Sequence, residues 1–246
     1  MKEQKIVLVT GISGGLGAAM ARHFRKEGYF VYGAARTAPQ EGSCDAFIAC
    51  DLTDPAARKA LAERFERLDV LVNNAGIGSY ATWQELGEEG LRKLFEVDFF
   101  APVALTMDLL EPLTAAKGAV INISSVAAEV PVACMGAYNS AKAALRMFSE
   151  SLRPELSAAG IRVLTVLPGR INTGFSKRAL GGRKVPSTPG WGASTPEGLA
   201  KTVYRAFLRG RRGVIYPWWY GAVIAFVRRF PAVNEWGNRR AWDLNG

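Results

Sequence analysis

Short, continuous apolar runs alternate with longer stretches of helical spacing along most of this chain. The runs lie at residues 6–9, 30–34, 46–49, 70–72, 119–123 and 163–166, with a last one at 213–216. They are apolar at every position rather than every second one, which predicts strands covered on both faces. Helical periodicity occupies 15–27, 55–65, 87–115, 137–159 and 196–209. Gly28, Gly118 and Gly160 each follow a helical stretch just before a strand, where a left-handed helix terminus favours glycine. Parallel neighbours need crossover connections, and these are right-handed, so the pattern predicts a doubly wound α/β sheet of Rossmann type. Helices should flank both of its faces.

The length of 246 residues suits one such domain, with 1–216 as its body and 217–246 as an aromatic and basic extension of it. The chain passes at once from Met1 into an apolar strand, leaving no room for a secretory leader, so cytoplasmic synthesis is expected. Cys44, Cys50 and Cys134 are odd in number and show no metal-binding spacing; they read as free thiols, and no metal site is expected. His23 is the only histidine, which removes Ser-His-Asp hydrolases and His-rich metal enzymes. The net charge of +9 is uneven: residues 170–246 hold 14 Lys or Arg and 3 acids. No nucleic-acid motif accompanies that basicity, so no nucleic-acid partner is expected. A solvated face, a membrane surface or an anionic substrate remain as its meanings.

Candidate chemistry begins at the end of the first strand, where Thr10-Gly11-Ile12-Ser13-Gly14-Gly15-Leu16-Gly17 opens onto a helix. Glycines at these places let the backbone turn tightly and approach a pyrophosphate, whose charge the helix N-terminal amides meet. After the second strand stands Ala34-Ala35-Arg36-Thr37. An acid here would bind the ribose hydroxyls of NAD, whereas Arg36 suits a 2′-phosphate in geometry and charge. The other reading of Arg36 is a solvated surface side chain.

Tyr138 and Lys142 are four residues apart in a helical stretch and share a face. A free tyrosine has a pKa near 10, so use near pH 7 needs roughly 3 units, or about 4 kcal/mol. A cation about 4 Å away at an effective dielectric of about 20 supplies about that much, and Lys142 is placed to do so. Thirteen residues before Tyr138, a strand ends in Asn122-Ile123-Ser124-Ser125, at the sheet edge where open α/β proteins bind ligands.

With Asn73-Asn74-Ala75-Gly76 after the fourth strand and Pro168-Gly169-Arg170-Ile171-Asn172-Thr173 after the sixth, this ordered set resembles the short-chain dehydrogenase/reductase family. The resemblance runs from about residue 5 to about 216 and implies hydride transfer between a nicotinamide cofactor and a carbonyl or alcohol. It implies that Tyr138 is the acid/base, that Lys142 lowers its pKa and binds the nicotinamide ribose, and that Ser125, rather than Ser124, orients the carbonyl. Gly11, Gly15, Leu16 and Gly17 would carry the pyrophosphate, while Ser13, Arg36 and Thr37 would hold the 2′-phosphate of NADP(H). Asp51 and Leu52 would contact adenine, Asn73, Ala75 and Gly76 the central sheet and ribose, and Ile171 and Thr173, after Pro168 and Gly169, the carboxamide. Intact Ser125, Tyr138 and Lys142 argue for turnover over a cofactor-sensing scaffold.

One position departs from the family pattern. Asp98 stands in the long fifth helix where an asparagine completes the proton-relay tetrad. An ionised carboxylate only accepts hydrogen bonds, so one bond must be lost, rearranged or made by a protonated acid.

Beyond residue 216 come Trp218, Trp219, Tyr220, Phe226, Phe230, Trp236 and Trp242, with Arg228 and Arg229 among them. The apolar run at 218–227 is too short to span a bilayer. It suits a membrane interface, and equally a subunit contact or a lid over an apolar pocket. The segment 176–195 reads as the mobile substrate loop and holds no specific code, leaving lipid, steroid-like and acyl carbonyls open. The expected partners are a small, lipophilic carbonyl or alcohol and further copies of the chain in a homodimer or homotetramer.

Overall fold

The computed structural model describes residues 4–186 and 194–244. Seven strands form one wholly parallel sheet in the order β3-β2-β1-β4-β5-β6-β7. They are β1 Ile6–Thr10, β2 Phe30–Ala35, β3 Ala46–Ala49, β4 Val70–Asn73, β5 Ala119–Ile123, β6 Arg162–Pro168 and β7 Gly213–Tyr216. This is the expected Rossmann-type sheet, and chain order reverses between β1 and β4, so a crevice opens at their carboxyl ends.

Side chains alternate between two cores. Val7 and Val9 of β1 and Val70 and Val72 of β4 join α1 Gly15–Lys26 and α7 Pro196–Leu208 on one face. Leu8, Leu71 and Val120 point the other way, toward α2 Pro55–Ala62, α4 Ala101–Asp108 and α5 Leu110–Ala116. Burial on both sides is why these strands read as unbroken apolar runs.

The helix expected over 87–115 is instead a broken series. α3 Trp83–Phe95 starts four residues earlier, at a capping box in which the Thr82 side chain accepts from Glu85 N and the Glu85 side chain accepts from Thr82 N. It kinks at Gly87, whose φ of 65° and ψ of 178° are not helical, and apolar spacing becomes regular only after that point. A π-helical turn, Glu96–Phe100, follows. Pro102 has no N–H to give to the carbonyl of Asp98, which loosens the ladder at that turn. A second break at Leu109 sets Pro112 in the first turn of α5, where a missing donor is tolerated. Asp98 therefore sits in a π-helical turn within the helical run Trp83–Asp108.

α6 Gly136–Ser157 carries Tyr138 and Lys142, and a polar thread crosses the core to hold it. Asn73 Nδ2 donates to Thr106 Oγ1 of α4 at 2.9 Å and to Asn122 Oδ1 of β5 at 2.8 Å. Asn122 Nδ2 in turn donates to Ser149 Oγ of α6 at 2.8 Å. The extension forms two helices, α8 Tyr220–Arg229 and α9 Pro231–Ala241, that pack over one end of the crevice.

Asn122→Ala would remove two buried hydrogen bonds, those to Asn73 and Ser149, at about 0.5 to 1.5 kcal/mol each, or about 1 to 3 kcal/mol together. At about 2 to 4 °C per kcal/mol for a chain of this size, the calorimetric melting temperature should fall by roughly 2 to 12 °C. An unchanged melting temperature would show that the thread is not a support.

Candidate active site

A cavity of about 1080 Å³ runs from the crevice between β1 and β4 outward beneath α8 and α9. Thr10 builds its inner end. Buried at the tip of β1, its hydroxyl donates to Val72 O at 3.2 Å and accepts from the amides of Asn74 and Ala75 at 2.9 and 3.0 Å. The two loops are thereby held so close that a Cβ on Gly11, at a φ of +68°, would stand 2.8 Å from Ala75 Cα. Gly15 has a φ of +57°, and a Cβ there would stand 2.9 Å from Thr173 Cβ. The first turn of α1 has no acidic side chain and no side-chain cap, so nothing anionic competes for its amides. These features fit the pyrophosphate of a dinucleotide.

Ser13, Leu16, Arg36, Thr37, Asp51 and Leu52 also line the cavity. Arg36 is exposed and makes no hydrogen bond or ion pair among the described residues, so its fork is free to meet a phosphate. Asp51 is held below the usual carboxylate range, first by the Thr53 N–H at 3.0 Å, with the Thr53 hydroxyl and the Arg36 charge assisting against burial. Ala75, Gly76, Pro168, Gly169, Ile171 and Thr173 line the cavity as well. Gly17 and Asn73 do not. A Cβ on Gly17 would stand 2.4 Å from Gly11 O, and the Asn73 amide is committed to Thr106 and Asn122. Both shape the site from behind.

Tyr138 and Lys142 project from one face of α6 and are 8% and 4% exposed. The Lys142 ammonium donates to Ile123 O at 3.2 Å and lies 3.0 Å from Asp98 Oδ2. Asp98 is fully buried, and its Oδ1 accepts from Ile77 N at 2.7 Å. Burial raises the Asp98 carboxyl above its ordinary pKa, while Lys142 and the Ile77 N–H oppose that. The backbone passes tightly over this pair: a Cβ on Gly76 would stand 3.2 Å from Asp98 Oδ2 and 3.3 Å from Lys142 Nζ.

The Lys142 ammonium lies 5.8 Å from the Tyr138 ring centroid and is paired with Asp98. The Tyr138 hydroxyl is raised well above its usual range, first by burial and then by the Asp98 charge; its hydrogen bond with Ser125 acts the other way. The neighbouring Ser124 is occupied elsewhere, its Oγ donating to Lys142 O at 2.8 Å. Ser125 is thus the hydroxyl beside Tyr138, and it also accepts from Ala127 N at 3.1 Å.

The outer end of the cavity is apolar, lined by Val126, Val130, Met135, Val223, Phe226 and Trp242 among others. Ile224 and Val227 of α8 are buried against Val126, Val130 and Leu167. Trp242 stacks on Tyr80, centroids 6.2 Å apart at 27°. Glu129 receives Arg228 from the extension as well as Arg146 from α6. A lid over an apolar pocket was one of the meanings open for the extension, and Tyr220, Val223, Ile224 and Val227 follow the i, i+3, i+4, i+7 spacing of a helix with one packed face. Of the loop expected at 176–195, the described part places Ser176, Arg178, Leu180 and Val185 on the cavity wall, and 187–193 lie outside the described residues.

A model for short chain dehydrogenases matches residues 5–181. Serine 3-dehydrogenase of Agrobacterium fabrum is 35% identical over 213 residues, covering 80% of this chain and 86% of that protein. NADPH-dependent 3-dehydrocapnine reductase of Ornithobacterium rhinotracheale is 36% identical over 196 residues, covering 72% and 69%. A solved short-chain dehydrogenase from Sphingobium yanoikuyae in complex with NADPH has a TM-score of 0.76 and 25% identity, over 93% of this chain and 95% of that one. With motif order, fold and these likenesses in agreement, this chain belongs to the short-chain dehydrogenase family.

Proposed function

We propose that this protein is an NADP(H)-dependent oxidoreductase that interconverts a lipophilic carbonyl and its secondary alcohol, with Tyr138 as acid/base. The observation that carries this reading is the placement of Tyr138 beside Ser125, on the wall of a cavity with a phosphate-suited inner end and an apolar outer end. NADPH bound along the inner end would supply the hydride. Gly11, Gly15 and the first turn of α1 would hold its pyrophosphate, and Ser13, Arg36 and Thr37 its 2′-phosphate. Ser125 orients the substrate oxygen by hydrogen bonding, and Tyr138 gives that oxygen its proton. Lys142, anchored by Asp98 and Ile123 O, would bind the nicotinamide ribose and holds the α6 face that carries Tyr138. The NADP(H) choice is supported by Arg36 following Ala35, and by a relative named as NADPH-dependent.

Tyr138→Phe removes the transferable proton and little packing, so turnover should fall by about 100-fold or more. Near-normal turnover with a panel of lipophilic ketones would defeat the acid/base role. For Asp98 the sign is fixed by its charge. Its carboxylate raises the Tyr138 pKa, so Asp98→Asn should lower that pKa. Alcohol oxidation needs the tyrosinate, and the rising limb of its pH–rate profile should therefore move to lower pH in the variant. A limb that stays in place would put Asp98 outside the relay.

A charge-assisted hydrogen bond contributes about 1.5 to 3 kcal/mol, or about 10- to 150-fold in affinity. Direct titration should show NADPH bound more tightly than NADH by about that factor. Arg36→Ala should erase most of the difference by weakening NADPH. Equal affinities in the unmodified protein would return Arg36 to the role of a solvated surface residue.

A further inference from the structure

α9 turns amides toward the body of the protein and leaves apolar side chains, among charged ones such as Arg239 and Arg240, on its exposed face. Its amides point inward: Asn234 and Asn238 donate to Pro131 O at 3.0 and 3.2 Å, and Asn238 Oδ1 accepts from Ala133 N at 2.9 Å. Outward, Val233, Trp236 and Arg240 follow at i, i+3 and i+7, with Val233 49% and Trp236 63% exposed. The Phe226 and Phe230 rings, 5.1 Å apart and both about half exposed, extend this ridge along α8. Trp218, at the start of the extension, is 84% exposed. A helix at a water interface turns its apolar stripe to the core and its amides outward. An aromatic ridge of this kind marks a surface made for another apolar medium.

Charge selects the occupant. Arg229 lies over the Phe230 ring at 5.3 Å and Arg240 over the Trp236 ring at 5.6 Å, so each ring carries a guanidinium beside it. A second copy would bring the same arginines to the same ridge and be repelled. Anionic headgroups complement them, with the rings seated at headgroup depth and the arginines reaching the phosphates. Each of the two helices is only about 15 Å long at about 1.5 Å per residue. That is half the roughly 30 Å of a bilayer core, and no single helix among the described residues is long and apolar enough to cross a membrane. The geometry is that of helices lying in the surface.

The cavity opens on this same face. Phe226 and Val233 both line the cavity and stand about half exposed on the ridge, so they rim its mouth. We propose that the outer face of α8 and α9 docks on an anionic lipid surface, with the mouth between Phe226 and Val233 turned toward the bilayer. A lipophilic molecule dissolved in that bilayer then enters the cavity without crossing water. Docking itself is independent of the reaction proposed above.

Co-sedimentation of the full chain with vesicles tests this, using phosphatidylcholine alone and phosphatidylcholine mixed with phosphatidylserine. The protein should sediment with the mixed vesicles at low ionic strength. It should be released as the Debye length falls from about 10 Å at 0.1 M salt to about 3 Å at 1 M. Arg229→Gln/Arg240→Gln should lower partitioning by about tenfold or more, taking about 1 kcal/mol per arginine. Phe230→Ser/Trp236→Ser should lower it similarly, and the melting temperature should hold in both variants because the buried Ile224, Val227 and Trp242 are untouched. No sedimentation at low salt, equal sedimentation on phosphatidylcholine alone, or normal partitioning of either double variant overturns the proposal. So does self-association that Phe230→Ser/Trp236→Ser abolishes while vesicles bind nothing, for the ridge would then serve a second copy.

Discussion

A carboxylate and an ammonium buried side by side, Asp98 and Lys142, fix the relative position of three elements at the site edge. Each charge alone would cost several kcal/mol to bury, so neither can leave without the other becoming unpaired. Asp98 comes from the π-helical turn, Lys142 from α6, and the loop after β4 closes over both through the Ile77 N–H and the bare backbone of Gly76. The Ile123 carbonyl adds the end of β5. Tyr138, one turn before Lys142, inherits its position from this cluster. Burial first, and then the Asp98 charge, raise the Tyr138 hydroxyl above its usual range, while its hydrogen bond with Ser125 opposes them.

This is also where sequence reasoning stopped short. That Tyr138 and Lys142 share a face follows from a spacing of four, and their meeting with Ser125 follows from strand order, so the cluster was legible. The burial that raises the Tyr138 hydroxyl was not, nor was the pairing of Asp98 with Lys142, two residues 44 positions apart in the chain. Asn73 and Gly17 fall in motifs that end at the cavity yet face away from it, a distinction that periodicity cannot make.

The central strands were legible because burial on both sheet faces leaves mostly apolar positions, a signal that needs no tertiary information, whereas the edge strands β3 and β7 are apolar yet only partly covered. The stretch 87–115 was read as one helix because its irregularities arise from single residues inside an otherwise helical pattern. Gly87 takes a non-helical conformation, Pro102 withholds a donor, and Pro112 restarts the ladder. The capping box at Thr82 and Glu85 was a readable start signal that the apolar spacing after Gly87 obscured.

The extension acts on the site through one segment, 125–138. Ser125 begins it and Tyr138 ends it, and nearly every polar contact that seats the extension falls between them. Pro131 O and Ala133 N hold Asn234 and Asn238, Glu129 holds Arg228, and Asn139 of α6 donates to Val132 O at 3.1 Å. The apolar contacts run to the same place, since Val126 and Val130 meet Ile224 and Val227. Any displacement of α8 or α9 large enough to admit a bulky molecule must therefore release contacts to the segment that joins the two hydroxyls. Ser125 and Tyr138 thus stand at the two ends of the segment on which α8 and α9 are seated.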